Sequence, residues 1–560
     1  MLNFKATAHL CTILATTFAY LFFEVIKNSK IMMIEWNMTK IMCLSLKFKL
    51  MLDLNSMIFT ATVMIITSSV ILYSTYYMSH SNKSNQFMKT IMIFILSMTT
   101  LIFSANLPSM MLGWEGLGMS SFILIMFYKS KKALTSSFLT MMINRVGDIT
   151  LIMSALFFMN MNSWSFETFC NLSMSKEPIM LMMVALFSKS AQLPLSSWLT
   201  EAMAAPTPVS ALVHSSTLVT AGIYIMIRFE STISNMKMTK VVMFIGMITI
   251  IMAGMNSITE WDIKKTIALS TLMQLSIIFF SISLNLFKLS MFHLILHATF
   301  KALIFLCAST FINTFNTQDM RKMSTAGHHM SSTQTAFNLA NLSMCGFPFM
   351  SGAYSKELIM EAAHSTSYSM ISSVMLLISL TCSIFYSIKM MFSVGSFTTM
   401  MQPVSKLKET KNQKNSIMML LVPSIIMGNK LNWLMNIEHT IPAVSNIQKY
   451  HPMIALISSI MLISTMMKAQ TGKHIKNTKE GLTLINYMMF SKNFSLQMKN
   501  KTLMMYMINL KSSESGTTEH LIKAIKNAAK LPSKKMHMMN ASNMKTLIMV
   551  LIIMMMLVKF

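Results

Sequence analysis

Acidic residues are scarce in this chain: 19 Asp and Glu stand against 46 Lys and Arg, and the four types together make up 12% of 560 residues. A water-soluble protein of this size needs far more charge on its surface, so a soluble globular fold is excluded. The formal net charge of +27 raises nucleic acid as a partner. The basic residues lie mainly in short loops and toward the C-terminus, with no soluble basic domain to host such a ligand. Membrane lipids with anionic headgroups are therefore the expected partner, and nucleic acid is not. The six cysteines are scattered, with no Cys-x-x-Cys pair, which excludes the clustered thiolates of iron–sulfur and zinc sites. There is no Walker-type loop, and the glycines of Gly113–Gly118 do not have the dinucleotide spacing. No nucleotide, cofactor or metal site is expected in this chain.

What the chain has in abundance is hydrocarbon. Hydrophobic residues make up 53% and the mean hydropathy is +0.55. Apolar runs of about 17–25 residues recur nearly end to end, each long enough to cross a bilayer core of roughly 30 Å. Backbone polar groups in lipid must be satisfied within the segment, so the spans are helices. About fifteen are expected by the ~20-residue template, near 8–26, 54–78, 89–107, 109–128, 133–159, 178–199, 206–229, 240–258, 264–285, 288–313, 334–352, 367–393, 416–434, 452–468 and 546–560. The first run lacks a small-residue cleavage site and is read as a helix, not a removed signal. Residues 470–543 are rich in Lys and Asn, with apolar residues spaced to form one face of a basic helix lying along the membrane, the alternative being a disordered matrix-exposed linker. The 69 methionines act as flexible apolar filler, and a mitochondrial code that reads an extra codon as Met would produce this bias.

Within that hydrocarbon stand Glu115, Asp148, Lys189, His214, His293, His297 and Lys301. Lys or Asp at the centre of a membrane helix is unfavourable by about 2.5–3.5 kcal/mol. Seven such residues in neighbouring segments point to a polar path, and in particular a proton path. Two spans also carry breakers: Ala191-Gln192-Leu193-Pro194 in the sixth, and Gly346-Phe347-Pro348 with Gly352 in the eleventh. Proline frees a backbone carbonyl, and broken helices at the midplane are common where transporters bind ions.

The sharpest pattern is His293-x3-His297-x3-Lys301. Steps of four residues put all three on one helix face, spread over about 12 Å of axis. Imidazole both donates and accepts a proton near neutrality, so a ladder of such groups bridged by water is a proton wire. His at i, i+4 is also a ligand pair, but no acid or cysteine follows at a suitable spacing, and metal is not assigned. Lys189 is the natural partner for Glu115. Arg145 and Asp148, at i, i+3, either neutralise one another or join the path. His214 lies among the hydroxyls of Ser210, Ser215, Ser216 and Thr217, which can hold water. Asp262-Ile263-Lys264-Lys265 reads as a helix start, with Asp262 as cap and the lysines at headgroups. Lys356-Glu357 is either a proton exit or a surface ion pair.

Together these runs resemble the antiporter-like subunits of mitochondrial NADH:ubiquinone oxidoreductase (respiratory complex I), and among them subunit 5. The resemblance rests on Gly113-Trp114-Glu115-Gly116, Val146-Gly147-Asp148 and Lys189-Ser190-Ala191-Gln192 through Trp198. It continues with Ala205-Pro206-Thr207-Pro208-Val209-Ser210 through His214-Ser215-Ser216-Thr217, Asp262-Ile263-Lys264-Lys265, the His293/His297/Lys301 ladder and Tyr354-Ser355-Lys356, in family order over about 105–360. Thr200-Glu201 and Glu357 depart from the usual pattern.

The resemblance implies an all-α polytopic fold with two inverted five-helix repeats, each holding a broken helix, and a lateral C-terminal amphipathic helix. It also implies sixteen spans, so a further weak span is expected in 27–53 or 395–450. The corresponding division is 1–107 N-terminal helices, 108–258 first repeat, 259–434 second repeat, and 435–560 the C-terminal helix, lateral helix and final anchor. It implies a multi-pass protein of the mitochondrial inner membrane that pumps protons as NADH is oxidised. Flavin, iron–sulfur clusters and ubiquinone are then expected in partner subunits, with the neighbouring antiporter-like subunits as principal partners. By this resemblance Glu115 and Lys189 form a glutamate–lysine pair and Asp148 is an accessory acid. His214 links toward the centre, Lys301 is the central lysine fed by His293 and His297, and Lys356 with Glu357 lies at the exit. A multisubunit cation/proton antiporter, a sister subunit of complex I and a non-catalytic membrane scaffold are the alternatives.

Overall fold

The computed structural model describes residues 2–28, 30–41, 44–79, 81, 83–159, 164–166, 176–235, 238–323, 330–365, 370–395, 409–435, 454, 457–459 and 461. Among these residues 11 helices are long and apolar enough to cross a membrane. The expected lateral helix in 470–543, the span at 546–560 and most of that at 452–468 lie outside the described residues.

The chain opens with α1 (Leu2–Asn28), followed by a hairpin of β1 (Met32–Ile41) and β2 (Leu44–Leu52). Residues 32–52 thus hold no extra span. The reason is legible after the fact: β2 alternates apolar and polar residues with period two, a strand pattern and not a helical one. The strands pair antiparallel, with Glu35 opposite Lys49 and Trp36 opposite Phe48. Glu35 contacts Lys49 at 2.5 Å and Lys47 at 3.4 Å, and Trp36 stacks on Phe48. Ala105 N donates to the Lys49 carbonyl and Asn106 Nδ2 to that of Lys47, both at 3.1 Å.

Helices α2 (Leu54–Tyr77), α3 (Ser84–Phe103), α4 (Leu107–Ile125) and α5 (Lys131–Met159) follow. Asp53 caps α2 and accepts two bonds from Arg228, at 2.6 and 2.9 Å. Arg228 ends α8 (Thr207–Arg228), so this ion pair ties the start of one span to the end of another.

The sixth span is broken as its proline indicated. It forms α6 (Lys176–Lys189), then a non-helical turn, then the short α7 (Ser197–Glu201). The carbonyls freed by the break find side-chain donors, as burial in lipid requires. Trp198 Nε1 reaches Ser188 O at 2.9 Å, and Gln192 Nε2 reaches Ser190 O at 3.3 Å. Thr249 in turn holds Gln192 Oε1 at 2.7 Å. Gly147 lets α5 press against α6: a Cβ there would lie 2.0 Å from Ser188 Oγ.

Next come α9 (Thr239–Thr259), α10 (Ile263–Ser283) and α11 (Phe287–Phe315), the last two almost wholly buried. The eleventh expected span is broken in turn, into α12 (Ser331–Cys345) and α13 (Ser351–Ser365). Helix α13 runs beyond the expected end of that span at 352, to Ser365. Gly346, at φ 82°, closes α12 in a Schellman motif. Phe347 N donates to Leu342 O and Gly346 N to Ser343 O, a geometry that favours glycine. Helices α14 (Met370–Gly395) and α15 (Lys411–Met435) complete the described fold. Helix α15 meets the break where Ser351 Oγ donates to Ser424 O at 2.5 Å.

Candidate functional site: two buried lysine centres

The first centre forms where α4, α5 and α6 converge. Lys189 is the last residue of α6 and is fully buried. A cation suits a helix C-terminus, where unpaired carbonyls concentrate negative potential. Its Nζ donates to the backbone carbonyl of Trp114 at 3.1 Å and lies 4.9 Å from that residue's ring. Trp114 Nε1 donates to Asp148 Oδ1 at 2.8 Å, and Asp148 also meets Arg145 at 3.4 Å. Asp148 is thus a partner of Arg145 and, through Trp114, a neighbour of Lys189.

Glu115 is not brought against Lys189. It is exposed on the outer side of α4, and among the described residues it makes no ion pair. The cause is helical geometry: consecutive residues point about 100° apart, so with Trp114 buried in the bundle, Glu115 turns away. The acid that acts most strongly on Lys189 is Asp148, ahead of Glu115. Glu201 is half-buried and makes no ion pair among the described residues.

His214 sits in α8, where residues Ser210–Thr217 form a π-helix, a feature frequent at functional sites. The hydroxyls expected to surround it turn to backbone carbonyls instead. Ser215 bonds Ala211 O, Ser216 bonds Leu212 O, and Thr217 reaches Leu212 O at 2.7 Å. The imidazole is fully buried edge-on to Trp198, and neither ring nitrogen has a hydrogen-bond partner among the described residues.

The second centre is built on α11. His293, His297 and Lys301 are all fully buried. His293 Nδ1 meets Ser355 Oγ of α13 at 2.8 Å. Both nitrogens of His297 and Nε2 of His293 lack a hydrogen-bond partner among the described residues. Lys301 Nζ donates to Ser270 Oγ of α10 at 2.5 Å and to Met344 Sδ of α12 at 2.8 Å. Tyr386 of α14 turns its ring toward the same ammonium, 5.9 Å away.

Lys356 is buried at the break and donates to the backbone carbonyl of Met344. It is therefore no surface ion pair. Glu357 next to it is half-buried and makes no ion pair among the described residues. Lys356 lies within electrostatic reach of His293, His297 and Lys301, so four titratable groups share one buried cluster. Asp262 pairs with Lys265 at 3.4 Å and does not cap α10 through its side chain. Lys264 turns inward onto Ala205 O at 3.2 Å, away from any headgroup.

Sequence reasoning missed Trp114 and Met344 as lysine partners. The Trp114 contact to Lys189 is through its carbonyl, which every residue has. Met344 is one methionine among 69, with nothing local to single it out.

Comparison with known proteins bears on what this arrangement belongs to. Residues 104–382 match the family described as NADH:quinone oxidoreductase/Mrp antiporter, TM. Residues 36–88 match NADH-ubiquinone oxidoreductase (complex I), chain 5 N-terminus. The chain is 39% identical to NADH-ubiquinone oxidoreductase chain 5 of Aedes aegypti over 414 residues, covering 72% of this chain and 70% of the relative. It is 34% identical to that of Lumbricus terrestris over 480 residues, covering 84% and 83%. Among solved structures it shares the fold of a chain in the Mrp complex from Dietzia sp. DQ12-45-1b. The TM-score is 0.73 at 19% identity, over 95% of this chain and 60% of that one. It also shares the fold of a chain in the archaeal membrane-bound sulfane sulfur reductase, at TM-score 0.68 and 16% identity over 82% and 93%. The extent of the chain 5 matches, at this identity, leaves one assignment: the protein belongs to the NADH-ubiquinone oxidoreductase chain 5 family.

Proposed function

We propose that this chain, as the chain 5 subunit of NADH:ubiquinone oxidoreductase, translocates protons through its two buried lysine centres. Family membership and the 11 apolar helices make it a multi-pass protein of the mitochondrial inner membrane. In this reading the flavin, the iron–sulfur clusters and ubiquinone are carried by partner subunits, and the adjacent antiporter-like subunits are its closest neighbours.

One observation carries the reading. Lys189, His214, His293, His297 and Lys301 are all fully exposed to protein and none to solvent, yet none of them is in an ion pair among the described residues. A structural charge inside a membrane protein is normally paired. Here the lysines rest on neutral acceptors, and five imidazole nitrogens have no hydrogen-bond partner among the described residues. Buried polar groups of this kind require hydrogen-bonding partners, and water is the natural one. Lysine and histidine linked by water form a route along which protons hop.

The lysines act as the gates. Each amine has two protonation states, whose balance is set by neighbouring charge. A change of about 1.4 kcal/mol in that environment alters the balance tenfold. Movement of charge at Asp148 and Arg145 acts on Lys189, and protonation of Lys356 or the histidines acts on Lys301. His214 lies on α8, which packs between the two centres and offers the connection. The Lys356 cluster, at the second helix break, is the exit side in this scheme.

The test is Lys189→Ala and Lys301→Ala in the assembled complex. Each is expected to reduce proton pumping and coupled NADH:ubiquinone turnover, while NADH oxidation by an artificial acceptor continues. An unchanged proton-to-electron ratio in coupled membranes would sink the proposal.

A further inference from the structure

We propose that Trp114 is a positioning residue of the first centre, transmitting the state of Asp148 to Lys189. The inference rests on the proton-translocation reading of that centre. Trp114 touches both groups at once and by different parts of itself. Its indole N–H holds the Asp148 carboxylate at 2.8 Å. Its backbone carbonyl holds the Lys189 ammonium at 3.1 Å, and its ring faces the same ammonium at 4.9 Å.

This arrangement gives the acid a route to the lysine without a direct ion pair. A hydrogen bond from the indole to a charged carboxylate is stronger than one to a neutral group. It fixes the side-chain torsion of Trp114, and hence where the ring sits against the ammonium. Loss of the carboxylate's charge, or its withdrawal toward Arg145, releases the indole. The ring then no longer holds one position, and the cation–π contact with Lys189 weakens. Trp114 is 1% exposed, so these contacts operate without competition from bulk water.

The local sequence supports the role. Gly118 lies one helical turn beyond Trp114, where a side chain would stand beside the Trp114 carbonyl. A Cβ at Gly118 would lie 3.5 Å from Lys189 Nζ. That is ordinary contact, so alanine fits, while a branched side chain would occupy the ammonium's seat.

The experiment uses the whole complex in coupled membranes and reads NADH:ubiquinone turnover beside artificial-acceptor NADH oxidation. Trp114→Phe keeps the ring face and the carbonyl but removes the N–H donor. It is expected to lower coupled turnover about tenfold, the scale of one lost hydrogen bond to a charged group, with artificial-acceptor oxidation unchanged. In an Asp148→Asn background the same substitution should have no further effect, because the charge it transmits is gone. A packing role would lower turnover equally in both backgrounds, and that result overturns the inference.

Gly118→Ala and Gly118→Val give a second measurement that leaves Trp114 intact. Alanine is expected to be near neutral, and valine to reproduce the loss seen with Trp114→Phe. Equal behaviour of the two also overturns the inference. Lys189→Ala separates this proposal from the one beneath it. If Lys189→Ala abolishes pumping while Trp114→Phe has no effect, only the role of Trp114 fails. If Lys189→Ala leaves pumping intact, the proton-translocation reading fails and takes this inference with it.

Discussion

Ser355 holds the Nδ1 edge of His293 at 2.8 Å, across the boundary between α11 and the helix that follows the second break. Helix α13 thereby sets the orientation of the first histidine in the ladder. Among the described residues the other three imidazole nitrogens of the ladder have no hydrogen-bond partner. The hydroxyl donates to Nδ1 or accepts from it according to the tautomer, so it serves either protonation state of the ring.

Ser355→Ala removes that contact with little change in volume. Coupled NADH:ubiquinone turnover is expected to fall about tenfold, on the scale of a hydrogen bond to a group that becomes charged. Ser355→Thr should restore most of it. Retention of full turnover by the alanine variant, measured beside artificial-acceptor oxidation, would remove Ser355 from the route.

Arg228 and Asp53 form a nearly buried, two-pronged ion pair, with Tyr224 OH at 2.6 Å from the same guanidinium. Removing one partner of such a pair costs about 3–5 kcal/mol, because the other charge is left uncompensated. Arg228→Met is therefore expected to reduce the amount of assembled complex seen on a native gel. The double variant Arg228→Met/Asp53→Asn should recover part of the loss. A double variant as depleted as the single would show that the charges themselves are not what matters.

Outside the membrane spans, Asp319 caps the turn Met320–Lys322 and pairs with Arg321 at 2.7 Å. The side-chain bond to Arg321 holds the Asp319 carboxyl below its usual range. A depressed carboxyl contributes stability that is present above its unfolded pKa and is lost as pH falls through its folded one. The turn is expected to stay closed through neutral pH and to loosen only below the ordinary carboxylate range. Hydrogen exchange at the Arg321 amide, which donates to Asp319 Oδ1, reads this directly. In Asp319→Asn the amide should exchange with no such acid transition, and a transition that persists would assign it to another group.

Much of the architecture was open to a reader of the chain alone. Helix α11 is an example: its apolar run, and the four-residue steps from His293 to Lys301, correspond to one long helix with all three residues buried. Both helix breaks fall where proline and glycine stand, since those residues alter the backbone whatever surrounds them. The hairpin at 32–52 is apolar enough to resemble its neighbouring spans by composition, and only the period-two alternation of β2 sets it apart. The π-helix around His214 had no local signature, because an extra residue per turn is decided by packing.

The site was less legible than the fold. That buried Lys189 and Lys301 are central follows from composition, since an amine in a hydrocarbon run needs an explanation. Which groups they touch did not follow. Charge complementarity suggested Glu115 for Lys189, and the helix phase turned Glu115 outward and brought the Trp114 carbonyl in. Likewise Lys356 and Glu357 are adjacent in sequence, but consecutive helical residues point about 100° apart: Lys356 turns into the Met344 carbonyl, and Glu357 makes no ion pair among the described residues.

Linear pattern was enough to establish a helical membrane protein, its two broken spans and the titratable residues within them. Each of those features depends on residue type and short-range spacing: hydrocarbon length against bilayer thickness, proline against helix continuity, and charge against lipid. Tertiary packing chose the partners: Asp148 through Trp114 for Lys189, Ser270 and Met344 for Lys301, and Ser355 for His293. These contacts join segments from 31 to 75 residues apart. Their formation depends on how the helices rotate and close against one another, which only the assembled bundle decides.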